Sequence, residues 1–112
     1  MRIGVTLHTT DLSISVPELA REAESRGFAS LYIPEHTHIP VSRRTPPPTG
    51  EETLAKEYLR SVDPYIALAA ASTCTERIRL GTGIGLVAQH DPITFAKQIA
   101  TLDQLCDGRF VF

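Results

Sequence analysis

The chain has 112 residues, 42% of them hydrophobic, and a formal net charge of -2. That is enough for one domain with a real core, and the near-neutral balance argues against an electrostatic nucleic-acid binder. No apolar run approaches the roughly 18 residues of a membrane span, and no signal-peptide pattern precedes the first strand, so a soluble cytoplasmic protein with neither membrane nor nucleic-acid partner is expected.

Residues 2–7 read as a first strand, followed by the polar loop His8-Thr9-Thr10-Asp11. Ser15 is placed to cap a helix with Pro17 in its first turn, Val16, Leu19, Ala20 and Ala23 facing inward, and Glu22 and Arg26 paired four apart on the wet face. Gly27 ends that helix, residues 29–33 form a second strand, and Pro34-Glu35-His36 follow at its carboxyl end.

From Thr37 to Val62 the apolar period dissolves, and the Pro46-Pro47-Pro48 run removes backbone donors and fixes φ. Residues 41–59 are therefore expected to be a flexible insertion. It is either a binding lid or a solvated loop, with a short helix over residues 51–59 at its end. Asp63-Pro64 opens an alanine-rich helix to about Thr75, and residues 78–84 form a buried strand ending in the glycines 81, 83 and 85. Asp91-Pro92 opens a further helix with an apolar stripe of Ile99, Leu102 and Cys106, flanked by Ala96 and Leu105. Asp107-Gly108 ends it before a last strand over residues 109–112. Such alternation means a parallel α/β sheet. Cys74 and Cys106 lack C-x-x-C spacing and read as free buried thiols.

In parallel α/β folds ligands gather at the carboxyl ends of the strands. Those ends carry His8, then Glu35, His36 and His38, then Gly83-Ile84-Gly85. Glu35 and His36 have the chemistry of an acid/base pair, whereas a structural reading has Glu35 capping the loop and the histidines hydrogen-bonded there. His36 and His38 point the same way on an extended chain but lack a third ligand, so no metal site is expected. The dinucleotide fingerprint G-x-G-x-x-G fails in both registers, on Leu86 from Gly81 and on Ala88 from Gly83, and no Walker loop is present. These glycines instead suit close backbone approach or a flat ligand lying on the main chain.

Arg-Leu-Gly-Thr-Gly-Ile from Arg79, Asp-Pro-Ile from Asp91, Ala-Thr-Leu-Asp from Ala100 and Gly-Arg-Phe from Gly108 together resemble the luciferase-like monooxygenase superfamily. The run Leu-Tyr-Ile-Pro-Glu-His-Thr-His-Ile-Pro from Leu31 is similar to its subgroup of oxidoreductases using the deazaflavin coenzyme F420, and the resemblance extends over essentially the whole chain. It implies a (β/α)8 TIM barrel of which residues 1–112 hold the first four strands, a half barrel. It also implies hydride transfer between F420 and a small organic substrate, with an FMN-dependent monooxygenase or a non-catalytic half-barrel module as alternatives. His36 and Glu35 match the catalytic and cofactor-binding positions after the second strand. Gly83-Ile84 matches the bulge where many members have a non-proline cis peptide behind the ring. A full barrel takes about 250 residues with its phosphate site after the last strands. The expectation is therefore either a truncated product or fragment, or two copies that pair their open edges into a full barrel. As a monomer the chain is expected to bind the cofactor weakly or not at all. It would self-associate through open sheet edges, with Phe110 and Phe112 lacking a barrel interior.

Overall fold

In the computed structural model, which describes residues 1–47, 50 and 53–112, four short strands pair in parallel. They are β1 (Gly4–Thr6), β2 (Ser30–Ile33), β3 (Arg79–Thr82) and β4 (Phe110–Val111), lying side by side in chain order. The helices α1 (Val16–Ser25), α2 (Pro64–Ser72) and α3 (Pro92–Leu105) make the crossovers, and 3-10 turns occupy Lys56–Leu59 and Val87–Gln89. The sheet topology and helix order are those expected of the start of a β/α barrel.

Local chemistry explains the helix starts. Ser15 accepts from the Glu18 amide while Glu18 reaches back to the Ser15 amide, a reciprocal capping box. Asp63 and Asp91 accept from the amides of Ile66 and Thr94 at 2.9 and 2.8 Å, each followed by a proline whose missing N–H would have been unpaired there anyway. At the end of α3 both Asp107 (φ 53°) and Gly108 (φ 71°) turn left-handed, which lets the Gly108 amide return to the Asp103 carbonyl at 3.0 Å.

The register aligns Val5, Leu31, Leu80 and Phe110 in one row across the sheet. That row faces the helices, where Leu31, Ile33, Leu68, Ile78, Leu80 and Cys106 are fully buried. Each large aliphatic side chain there contributes on the order of 2 kcal/mol of transfer free energy. Phe110 therefore packs against the helix-side core, and Phe112 meets Phe95 edge-on at 5.5 Å. The expectation that these rings wait for a barrel interior is corrected, because the two-residue alternation puts Val111, beside Gly81, on the other face. The α3 stripe is corrected too. Phe95 joins Leu102 and Cys106 inside while Leu105 is 59% exposed and Ala96 faces out, a rotation of the buried face towards the residue that meets Tyr65. Cys106 is buried and free; Cys74 is free and only half-buried, just past the end of α2.

At the amino-terminal end of the sheet, two charged side chains lock the crossovers. The Glu24 carboxylate accepts from the amides of Glu76, Arg77 and Ile78, the shortest at 2.6 Å. Burial alone would raise its pKa, but those three amides outweigh that and hold it below the ordinary carboxylate value. The Arg109 guanidinium donates to the carbonyls of Ser72, Thr75, Ile78 and Cys106 and to the Thr75 hydroxyl, tying the ends of α2 and α3 to the start of β3. A hollow of about 600 Å³ opens at this end beside Arg2, Ser30, Tyr32 and Arg79. It lies away from the strand ends where ligands gather in parallel sheets, so its volume does not make it the functional site.

Candidate functional site

Glu35, the second residue beyond β2, is only 2% exposed. Its Oε2 accepts from the Leu86 amide at 2.5 Å and from the Tyr65 hydroxyl at 3.1 Å, and its Oε1 lies 2.6 Å from His90 Nε2. Its own amide donates to the Ile84 carbonyl at 3.2 Å, while the Gly83 amide donates to the Ile33 carbonyl at 3.0 Å. The residues after β2 thus grip those after β3 at several consecutive points. Between them the Gly83-Ile84 peptide is cis, as the sequence resemblance implied. Burial, and then the facing Glu35 carboxylate, push the Tyr65 phenol well above its ordinary value, so it remains a hydrogen-bond donor throughout the working pH range.

His36, the next residue, turns to the other side of the chain. Its ring stacks on His8, with centroids 5.3 Å apart and planes 4° from parallel, and Tyr58 stands edge-on to both at 4.8 and 5.0 Å. His8 Nε2 shares a 2.6 Å hydrogen bond with Ser61 Oγ. Burial, and then the neighbouring His36, lower the His8 pKa, partly offset by Glu57. His8 is accordingly held towards the neutral imidazole, able to pair with a hydroxyl without competing as a second cation.

Tyr58 and Ser61 belong to the segment that returns from the proline-rich stretch. That segment is fastened by the Thr10–Ser61 bridge, by the Val62 amide on the Thr9 carbonyl at 3.2 Å, and by the Arg60–Asp11 ion pair. Of the helix expected over residues 51–59, the described residues form the turn at Lys56–Leu59; Glu51 and Glu52, with Pro48 and Thr49 of the expected flexible insertion, lie outside the described residues. His38 pairs with the Thr37 hydroxyl at 2.8 Å, and that hydroxyl also donates to Gln89 at 2.6 Å. His38 is thereby held apart from the stacked imidazoles. Among the described residues no group of three or more His, Cys, Asp or Glu could hold a metal ion.

The exposed step Gly83-Ile84-Gly85 is kept narrow by what lies behind it. A Cβ at Gly85 would come within 2.9 Å of the Tyr65 hydroxyl, and one at Gly83 within 3.0 Å of Tyr32 Cβ. Gly81 is equally constrained by the Tyr32 ring, at 2.9 Å, and by the Val111 carbonyl at 2.7 Å. Ile84 is 78% exposed, so the step offers a flat main-chain surface with one apolar side chain. The His36–His8 stack lies on the adjoining strand ends.

Sequence reasoning located His36, Glu35, Gly83 and Ile84, and the structure gathers all four at one end of the sheet. It separates the two acid/base candidates: Glu35 points into the protein and His36 joins His8. Tyr65, His90, Tyr58 and Ser61 were missed. A usable signal for two of them is position, because Tyr65 follows the Asp63-Pro64 cap and His90 precedes Asp91-Pro92. A crossover helix begins where its strand ends, on the ligand side of the sheet.

A family model described as luciferase-like monooxygenase matches residues 2–112. An uncharacterized protein of Mycobacterium tuberculosis (strain H37Rv) is 51% identical over 111 residues, covering 97% of this chain and 39% of the relative. Among solved structures, the coenzyme F420 dependent tetrahydromethanopterin reductase of Methanopyrus kandleri superposes with a TM-score of 0.72 at 24% identity, over 98% of this chain and 25% of that one. The oxygenating constituent of 3,6-diketocamphane monooxygenase from Pseudomonas putida, solved with FMN, gives 0.73 at 22% identity, over 100% and 28%. The chain thus spans well under half the length of these relatives, and the two structural likenesses speak to the fold.

Proposed function

The chain belongs to the luciferase-like monooxygenase family, and on that premise we propose that it forms the ring-binding part of an F420-dependent oxidoreductase acting on a small organic molecule. The observation carrying this reading is the juxtaposition of an exposed, side-chain-poor step at Gly83-Ile84 with the imidazole of His36 at the same end of the sheet. Gly83 and Ile84 would lie against the ring, and the resemblance of the run from Leu31 to Pro40 supports the deazaflavin as its identity. When bound, the deazaflavin supplies a carbon that gives or takes a hydride.

The chain's own residues supply position and proton handling. His36 exchanges a proton with the substrate through its imidazole. His8, kept neutral and anchored to Ser61, holds the His36 ring plane by stacking. Tyr58, edge-on to both imidazoles, supports the stacked pair from one side. Glu35 fixes the ring-bearing step from behind.

An FMN-dependent monooxygenase is the second reading, supported by the description of the family and by the FMN-bound Pseudomonas enzyme of the same fold. Titration of the protein with F420 and with FMN, followed by absorbance and fluorescence, separates the two. Tighter binding of F420 supports the first reading; binding of FMN alone replaces it with the second; binding of neither ring removes the claim that this stretch holds the ring by itself. We also propose self-association through the edge strands β1 and β4, whose outer backbone groups are unpaired within this sheet. Sedimentation of a stable monomer at high protein concentration would remove that part.

A further inference from the structure

We propose that His90 is a positioning residue of the site, which acts through Glu35 to hold the turn of residues 83–86 in its ring-receiving shape. The inference rests on the reading that this turn carries a planar cofactor. It also assigns Glu35 a holding role, leaving His36 as the proton-exchanging member of the adjacent pair.

The geometry carries the argument. Glu35 grips the turn twice, through its amide on the Ile84 carbonyl at 3.2 Å and through Oε2 on the Leu86 amide at 2.5 Å. A carboxylate held by one oxygen can still pivot about its last bond, so the grip is only as definite as the partner of Oε1. That partner is His90 Nε2 at 2.6 Å. The imidazole is itself fixed in plane: it stacks on Phe95, with centroids 4.0 Å apart and planes 9° from parallel, and meets Tyr65 edge-on at 5.7 Å. Tyr65 in turn donates to Oε2. His90 and Glu35 are 20% and 1% exposed in their side chains, so little water competes for the bond. Three protein donors engage the two carboxylate oxygens and the side chain is 1% exposed, so Glu35 is turned into the protein rather than towards a substrate. A relay from the start of α3 through the carboxylate to the Leu86 amide therefore sets the step at Gly83-Ile84 without touching the ring.

Two substitutions separate this from mere packing. His90→Phe keeps a ring against Phe95 but has no donor; His90→Gln keeps an N–H for Glu35 but loses the stack. Amide exchange and chemical shifts of the full 15N-labelled chain are recorded without cofactor, with Ala23 in α1 as the internal reference. The expected result is Leu86 exchange faster by about tenfold in His90→Phe and in Glu35→Gln, and within about twofold of the parent in His90→Gln. Unchanged Leu86 exchange in His90→Phe, or equal damage in both His90 variants, overturns the proposal. Should His90→Phe fail to fold, the His90 Nε2 resonance of Glu35→Gln decides: it must move, and an unmoved signal overturns the pairing. The same proteins are titrated with F420 and with FMN. If neither ring binds the parent, the proposed function fails while Leu86 exchange still decides the relay. If a ring binds the parent and His90→Phe equally well, the relay does not serve the ring and the proposal falls.

Discussion

Two glutamates grip the opposite ends of β3, and the difference lies in their donors. Glu24, at the amino end, is satisfied by three consecutive backbone amides, which are present in any sequence and never titrate. Glu35, at the carboxyl end, takes one amide and two side chains, Tyr65 from α2 and His90 from the link just before α3. The first arrangement stabilises a crossover whatever its neighbours are. The second works only when three distant residues coincide, and it holds the turn that follows Gly83-Ile84. The two ends of the sheet thus differ in how specific their carboxylate partners are, as the proposed function would require of the carboxyl end.

The strongest way to break the contrast is at Glu35. Glu35→Ala leaves the Leu86 amide, the Tyr65 hydroxyl and His90 without their shared partner, and should destabilise the chain by about 3 kcal/mol in urea denaturation while abolishing ring binding. At the other end, Arg109→Ala removes a fork of five hydrogen bonds and should cost about 2 kcal/mol with ring affinity retained. Arg109→Lys should recover little of that, since an ammonium cannot span the same carbonyls. If Arg109→Ala weakened ring binding as much as Glu35→Ala, the two ends would not be functionally separate.

Glu24→Gln sharpens the comparison through pH. The folded-state pKa of Glu24 is depressed, so its stabilisation is fully present above the ordinary carboxylate value and is lost as pH falls through the folded value. The substitution should cost about 1 kcal/mol at neutral pH and flatten the acid limb of a stability–pH curve measured by thermal unfolding. An acid limb as steep as the parent's would show that other groups govern it. Tyr65→Phe should cost about 1 kcal/mol, because Glu35 retains the Leu86 amide and His90. Its larger effect should be a rise in the ring's dissociation constant, read by fluorescence titration. Glu22→Ala breaks only an exposed pair with Arg26 and should stay within about 0.5 kcal/mol with no effect on binding.

Much of this molecule is legible residue by residue. Ser15, Asp63 and Asp91 cap their helices because a short oxygen side chain can reach an amide three positions on, whatever the rest of the fold does. Gly27 and Gly108 take positive φ where the chain leaves α1 and α3 in a left-handed turn, which glycine adopts without a Cβ penalty. The contacts that were not legible share one property, a large separation along the chain. Glu35 meets His90 across 55 positions, and His8 meets Ser61 across 53. Phe95 was overlooked for the same reason, since the helical period of α3 marks a stripe but not the angle at which Tyr65 and Phe112 wait for it.

The sequence by itself therefore determined the strand and helix order, the parallel sheet, the helix ends, the family resemblance and which residues stand at the carboxyl end of the sheet. All of these follow from interactions within a few residues or from the alternation of strand and helix. Only the tertiary structure decided that Glu35 turns inward while His36 turns to His8, and that Tyr58 returns from the long insertion to flank both imidazoles. Those outcomes depend on which side chains three crossovers deliver to the same few ångströms. A hydrogen bond at 2.6 Å carries no signal in the chain until the sheet register has brought its two ends together.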